Sequence, residues 1–373
     1  MSYDLVVLGL SLSSSWGNGH ATTYRALLKA YAARGHEILF LERDQPWYAT
    51  HRDLEEPEFC RLVLYRSLAE LERFCPEIAQ ARAVIVGSYV PEGIAVGRFV
   101  QKHARGVVAF YDIDTPVTLG DLDRCKYLSR DLIDGYDLYL SFTGGPILER
   151  LTHDFGARAA VALYCSVDPS VYRPTGAKPR YDLGYLGTYS PDRQPALERL
   201  LIEPARRAPH LSFIVGGPLY PEGIDWPPNV TRQNHVAPAQ HPAFYGACRF
   251  ALNLTRADML RTGFSPSVRL FEAAACGTPL ISDAWPGLET FFAIQEEILL
   301  AARTQDILSF LEATPEPVRR RLAQRVRRRV LGTHTAAQRA RELELHIDAA
   351  QPHARRNKSE QARNDPLAAA FVS

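Results

Sequence analysis

The sequence predicts an α/β fold built as two consecutive doubly wound domains. Three observations carry this. The chain has 373 residues, and roughly 150 residues per domain is the usual scale. Short apolar runs alternate with helical patterns along most of its length, the order that builds a parallel sheet covered by helices on both faces. One crowd of turn formers (Asp168-Pro, Arg173-Pro-Thr-Gly, Lys178-Pro) interrupts the alternation near the middle and reads as a linker. The predicted domains are residues 1–172 and 173–350, followed by a polar, aperiodic tail over 351–373 read as disordered.

The elements follow in order. Leu5-Val-Val-Leu-Gly9 is a buried strand, and Ser11 to His20 a small-residue loop. Tyr24, Leu27, Leu28 and Tyr31 set a helix that Gly35 ends, and residues 36–41 form the next strand. Strand, glycine-bearing loop, helix, glycine, strand makes one βαβ unit. A helix is predicted over 62–74, a strand over 83–87, a helix over 91–103, and strands over 106–112, 137–142 and 159–164. Thr143-Gly-Gly-Pro146 opens a helix between the last two. The second alternation has strands over 181–187, 211–216, 250–254, 280–282 and 297–301, with a short one near 226–230. A helix over 192–208 contains Pro204, which kinks or breaks it. A short helix covers 241–248, and helices run from the last strand to about 350.

Composition narrows the function classes. A formal net charge of +1 argues against a dominant electrostatic attraction to nucleic acid. Six cysteines are scattered without paired spacing, so neither a zinc site nor a disulfide framework is expected. The N-terminus has no basic stretch before its first strand, and no apolar run approaches the ~18 residues of a membrane span. These features predict a cytoplasmic protein. Residues 319–329 carry seven arginines, with Leu322, Val326 and Val330 every four residues. That is an amphipathic helix whose basic face is either solvated or a peripheral contact for anionic lipid headgroups.

The most informative stretch is Gly263 to Asp283. Ser265-Pro266-Ser267 can start a helix, Gly277 can end it, and Leu280-Ile281-Ser282 is a buried strand. A helix start after a Ser-rich loop offers free N–H groups to a phosphate. Glu272, about two turns in, is placed to accept hydrogen bonds from a ribose diol. It reads equally as a surface carboxylate on an Ala-rich packing helix. Arg269 is a phosphate partner or a surface residue. In the first domain, Gly17 and Gly19 let the backbone approach a ligand at the carboxyl end of the sheet. His20 is either a general base or a cap on the first helix. Gly9, Gly17 and Gly19 do not give G-x-G-x-x-G; only Glu42, at the end of strand two, sustains a dehydrogenase reading. Asp112 and Asp114 fall at a strand end, where alternation points both to the same side and they can bind a metal, act as base, accept from a hydroxyl, or form an Asx turn before Thr115-Pro116.

Glu272-Ala-Ala-Ala-Cys-Gly-Thr-Pro279 resembles the nucleotide-sugar signature E-A-x-A-x-G-x-P in the second domain of GT-B glycosyltransferases. Ser265-Pro-Ser-Val-Arg-Leu-Phe-Glu272 with Trp285-Pro-Gly-Leu-Glu289 is similar to the CgeB-like, spore-maturation-protein-like branch, related to family 4. Gly17-Asn-Gly-His20 also resembles the Gly-Gly-His loop of lipid-directed glycosyltransferases, which implies His20 as an acceptor or phosphate contact, or as general base. The resemblance covers most of residues 3–345. It implies two Rossmann-like domains facing a cleft, with the nucleotide on the C-terminal domain and the acceptor on the N-terminal one. It implies Arg193 against the donor diphosphate, with Gly187 and Gly216 allowing close approach and the Val236 backbone meeting the base. Ser267 and Arg269 belong to the helix start, and Glu272 to the ribose. His20, Asp112 and Asp114 fall on the catalytic side, Asp112 standing where family 4 often has the His of a His-Asp pair. Family 4 enzymes usually carry a second Glu eight residues before the first; here that position is Phe264.

The implied reaction moves a sugar from a UDP- or GDP-linked donor to a hydroxyl of a glycan, lipid or small molecule. It needs no cofactor beyond the donor and no obligatory metal. Two rivals share the motif: a GT-B sugar-nucleotide epimerase, and a binding or structural protein that keeps the frame without turnover.

Overall fold

A computed structural model describes residues 3–16 and 19–364, with side chains described as far as residue 350. The chain divides into two compact units. The first has strands β1 Leu5–Gly9, β2 Ile38–Arg43, β3 Arg61–Tyr65, β4 Ala83–Gly87, β5 Val107–Asp112, β6 Leu138–Ser141 and β7 Ala160–Ala162. They form one sheet in the order β3-β2-β1-β4-β5-β6-β7, and every pairing is parallel. Val6 faces Leu39 on one side and Val84 on the other. β1 and β4 are buried along their whole length, which is why they read as unbroken apolar runs. Val6, Leu8, Val84 and Val86 pack with Val96 and Val100 of the Gly93–His103 helix.

The second unit has β8 Tyr181–Leu186, β9 Phe213–Gly216, β10 Val230–Gln233, β11 Cys248–Asn253, β12 Leu280–Ser282 and β13 Ile298–Leu300. Its parallel sheet runs β10-β9-β8-β11-β12-β13. Leu183, Phe213, Phe250 and Ile281 form its core with Leu200 and Leu201. Both sheets reverse strand order once, between β1 and β4 and between β8 and β11. Loops leaving the carboxyl ends there diverge and open a crevice, the usual ligand position in doubly wound sheets.

Four expectations need correcting. The predicted helix over 62–74 is strand β3, paired to β2 from Leu39↔Arg61 to Arg43↔Tyr65, followed by a 3₁₀ segment over Leu68–Phe74. Sheet pairing overrides the helical spacing, and Ser67 caps the 3₁₀ turn through Glu70 N. The helix over 194–207 is unbroken at Pro204. It widens into a π turn over Glu198–Ile202, which accommodates the N–H that Pro204 lacks. The domain boundary lies at Tyr164/Cys165, and the described residues from Arg339 to Asn364 group with the first unit, not the second. Lastly, the tail predicted to be disordered from 351 is helical in backbone as far as Asn364, part of one helix from Ala336. Its Ala, Gln, Glu, Lys and Arg content favours that state.

Leu343 and Ile347 of this last helix are fully buried. Arg34 and His36 meet Glu344, and Arg82 meets Asp348. Ile347→Ala is expected to destabilise the protein by about 2–4 kcal/mol, read by urea unfolding.

The arginine-rich stretch lies on the helix Glu316–Thr333, with Leu322, Val326 and Val330 buried. Arg319 and Arg320 pair with Glu316, Arg325 with Glu296 and Arg329 with Glu297. Arg327 donates to the Ala275 carbonyl at 3.1 Å. Arg321 and Arg328 have no such partner among the described residues, and three carboxylates against seven arginines leave the face net positive. No helix among the described residues is long and apolar enough to cross a membrane.

Candidate functional site

In the second unit the polar residues gather at the carboxyl ends of β8, β9, β11 and β12. Gly187, just past β8, donates its N–H to the Gly216 carbonyl at 2.9 Å. A Cβ on Gly187 would lie 2.7 Å from Nη2 of Arg269, and one on Gly217 would collide with the Gly187 carbonyl oxygen. Glycine is therefore required where these turns and the guanidinium meet. Arg269 is not a surface residue; it is only 7% exposed. Its Nε donates to the Leu186 carbonyl and Nη1 donates to Asn253 Oδ1 at 2.9 Å. The guanidinium also lies over the Tyr185 ring, 4.8 Å from its centroid.

Asn253, the last residue of β11, extends the network. Its Nδ2 donates to Ser282 Oγ at 2.9 Å and Thr255 Oγ1 at 3.3 Å. Asp283 accepts from Thr255 N at 2.8 Å and Thr255 Oγ1 at 2.7 Å. Burial pushes the Asp283 carboxyl up, against those bonds and the pull of Arg269. A cation is thus fixed across the ends of β8 and β11, beside a helix start. That arrangement suits an anion with several oxygens.

The helix spans Val268–Ala275, beginning two residues later than its sequence suggests. Ser267 is its N-cap by backbone, but its side chain makes no capping bond; Ser267 Oγ accepts from Arg269 Nη1 at 3.5 Å. Gly277 takes the left-handed conformation expected at the C-terminus, φ 76°. Glu272 is buried, not on the surface. Tyr245 donates to its Oε2 at 3.1 Å, and His241 Nδ1 lies 3.7 Å from the same oxygen. The Tyr172 hydroxyl lies 3.1 Å from His241 Nδ1. Burial alone would raise the Glu272 pKa; bonds from His241, Tyr172 and Tyr245 outweigh it and hold the carboxyl below its ordinary value. Val236 is buried, and its carbonyl oxygen is 3.2 Å from His241 Nε2. Arg193 is half-buried; Nη2 donates to the Thr188 carbonyl at 2.7 Å, and Nε is buried without a hydrogen-bond partner among the described residues.

Gly17 lies outside the described residues. Gly19 is exposed with open space where a Cβ would be, so no close approach requires glycine there. Glu42 is only 1% exposed and braces the loop after β1. It accepts from Leu12 N at 2.7 Å, Ser13 N at 2.9 Å and Ser13 Oγ at 2.6 Å. Both its oxygens are committed, which removes the dehydrogenase reading. His20 is the first residue of the helix His20–Ala32 and is 8% exposed. Burial lowers its pKa, opposed by Asp114. Its Nδ1 is buried with no hydrogen-bond partner among the described residues.

Alternation does not bring the two aspartates to one surface. Asp112 is fully buried. It accepts from Tyr139 OH at 2.6 Å, Thr118 Oγ1 at 2.9 Å and Asp114 N at 3.2 Å, the last contact being an Asx turn. Asp114 is half-buried and accepts from Tyr89 OH at 3.0 Å. Burial pushes the Asp112 carboxyl up to about 6. The folded pKa exceeds the unfolded one, near 3.9, so the folded state is favoured while Asp112 is protonated. Stability contributed by this group falls as pH rises from about 4 to 6, and above that the full cost of about 3 kcal/mol is present. Asp112→Asn is expected to flatten that slope and raise stability at pH 8, measured by urea unfolding at pH 4.5 and 8.

Sequence reasoning missed Asn253, Thr255, Asp283, Tyr172, His241 and Tyr245. The available signal was a polar residue closing an apolar strand run, as Asn253 does after Phe250-Ala-Leu and Asp283 after Leu280-Ile-Ser. A buried polar group needs partners.

Residues 193–344 match the family described as glycosyl transferase-like. No curated protein sequence matches the chain. Among solved structures, sucrose-phosphate synthase from Thermosynechococcus elongatus is 15% identical with a TM-score of 0.66, covering 92% of this chain and 98% of that one. Anabaena HepE, solved with UDP and glucose, is 12% identical with a TM-score of 0.64, covering 93% and 100%. An alpha-glucosyltransferase solved with UDP-glucose and DNA containing an abasic site is 11% identical with a TM-score of 0.69, also covering 93% and 100%. The chain therefore has the two-domain GT-B fold, and its second unit carries the sequence similarity to the glycosyl transferase-like family.

Proposed function

We propose that the chain is a glycosyltransferase that binds a UDP-sugar in its second unit and transfers the sugar to a hydroxyl acceptor bound by its first. The observation that carries this reading is the buried Arg269–Asn253–Asp283 network beside the Val268–Ala275 helix, with Glu272 ionised one turn further in. Arg269, Arg193 and the helix N–H groups meet the diphosphate and take up leaving-group charge, so the reaction does not depend on a metal. Glu272 takes the ribose hydroxyls. The Val236 segment takes the base, with Gly187 and Gly216 at the strand ends beside it. His20, held neutral by burial, is the base for the acceptor proton. Asp114 faces the same acceptor, and Asp112 holds the Asp114 turn in place. UDP is preferred to GDP because HepE and the alpha-glucosyltransferase are solved with UDP or UDP-glucose. The similarity of residues 193–344 to the glycosyl transferase-like family supports the same assignment.

One residue favours binding without turnover. Phe264 stands where the resembling enzymes have a second Glu; its backbone is left-handed, φ 50°, and its ring lies against Gly287. Calorimetry with UDP and GDP, followed by mass spectrometry of UDP-glucose incubated with the protein and a glycan, lipid or sugar acceptor panel, tests the reading. Transfer supports it. A new sugar nucleotide without acceptor identifies an epimerase, and an unchanged UDP-glucose that binds identifies a non-catalytic protein. No binding of either nucleotide sinks the proposal.

A further inference from the structure

The β1/β4 switch point carries a second feature. Tyr89, two residues past β4, has φ 63°, and Glu92 in the same loop has φ 56°. Left-handed backbone at a bulky residue is strained, and it persists only where surrounding contacts over-determine it. Those contacts are present. The Tyr89 hydroxyl donates to Asp114 Oδ2 at 3.0 Å. Its ring lies 4.6 Å from the Tyr127 ring and meets His20 edge-on, 5.3 Å between centroids. Glu92 is tied to Arg43 Nη2 at 2.9 Å. Gly93 packs so closely that a Cβ would lie 2.7 Å from the Tyr127 Cα. The loop is braced on every side, yet Tyr89 remains partly exposed. Beside it, His20 is more than nine-tenths buried, and its Nδ1 has no hydrogen-bond partner among the described residues.

We propose that His20, Tyr89 and Asp114 form a subsite for a neutral polyhydroxylated ligand, a sugar or polyol, with Tyr89 as its positioning residue. A ligand hydroxyl donates to His20 Nδ1, and the Tyr89 ring sets how the carbon skeleton lies beside it. The Asp114 carboxylate accepts a second hydroxyl and repels phosphorylated or carboxylated ligands. This rests on the glycosyl-transfer reading only for the use made of the ligand, as acceptor. The binding itself needs no donor.

The test uses the full chain labelled with ¹⁵N-histidine and titrated with glucose, galactose, mannose and glycerol as neutral probes, and with glucose 6-phosphate as the charged one. At least one neutral probe is expected to move the His20 Nδ1 resonance, and glucose 6-phosphate to bind more weakly. Tyr89→Gly, which relieves the strain and removes the ring, is expected to weaken the neutral probe roughly fivefold or more, about 1 kcal/mol. Tyr89→Phe, which keeps the ring, is expected to recover most of that affinity. UDP affinity is measured on every variant as a check on folding and should not change. The proposal is overturned if no neutral probe moves His20, if glucose 6-phosphate binds more tightly, or if Tyr89→Gly binds the probe as the parent does. Loss of UDP binding in the parent protein overturns the donor assignment instead and leaves these outcomes readable.

Discussion

Glu272→Gln is expected to weaken UDP binding by roughly 10- to 100-fold, the scale of a charge-assisted hydrogen bond made neutral in a buried site. Gln keeps the shape of Glu, and its carbonyl can still accept from Tyr245, so the fold should survive. Glu272 is the informative position because its charge is held deliberately. Burial alone would protonate it more readily, but His241, Tyr172 and Tyr245 hold its pKa below the ordinary value. The carboxylate is therefore ionised throughout pH 5–8, and UDP affinity should show no step in that range arising from this group. Calorimetry on parent and variant at pH 5.5 and 7.5 checks both statements. Equal UDP affinity in the Gln variant would remove Glu272 from the nucleotide site.

Arg269→Met carries the second large effect. It removes a guanidinium that satisfies the Leu186 carbonyl and Asn253 Oδ1, leaving two buried acceptors unpaired. The expected loss of stability is about 2–4 kcal/mol, with UDP binding weakened at least ~100-fold if the cation meets the diphosphate. Arg269→Lys separates the two duties. A single ammonium cannot span β8 and β11 as a planar fork does, so this variant should regain part of the stability and little of the affinity. A Lys variant that binds UDP as well as the parent would assign the guanidinium to structure alone.

Some of this was legible from residue pattern. β1, β4, β12 and most of β5 read directly as apolar runs because parallel strands buried on both faces favour apolar side chains. The Val268–Ala275 helix and its Gly277 terminator were legible because small residues, Pro and Gly act locally. β3 was not legible. Leu62 to Phe74 has helical spacing, and only the free edge of β2 turns its first four residues, with Arg61, into a strand. The last helix reads as a helix, but nothing local tells which unit Leu343 and Ile347 will bury against.

The sequence by itself determined two parallel α/β units and a phosphate-suited helix bearing Glu272, because strand burial and helix capping are properties of short windows. Only the tertiary structure decided what Arg269 and Glu272 touch. Arg269 meets Leu186 and Asn253, Asn253 meets Ser282, and Glu272 lies with His241 and Tyr245. These partners are 16 to 83 residues apart in the chain. In the first unit the tertiary structure made the same kind of choice. It enclosed Asp112 as a turn brace and left Asp114, with Tyr89 and the unpartnered nitrogen of His20, at the edge of the sheet. A hydrogen bond across strand ends has no periodicity to read; it exists only once parallel strands set those ends side by side.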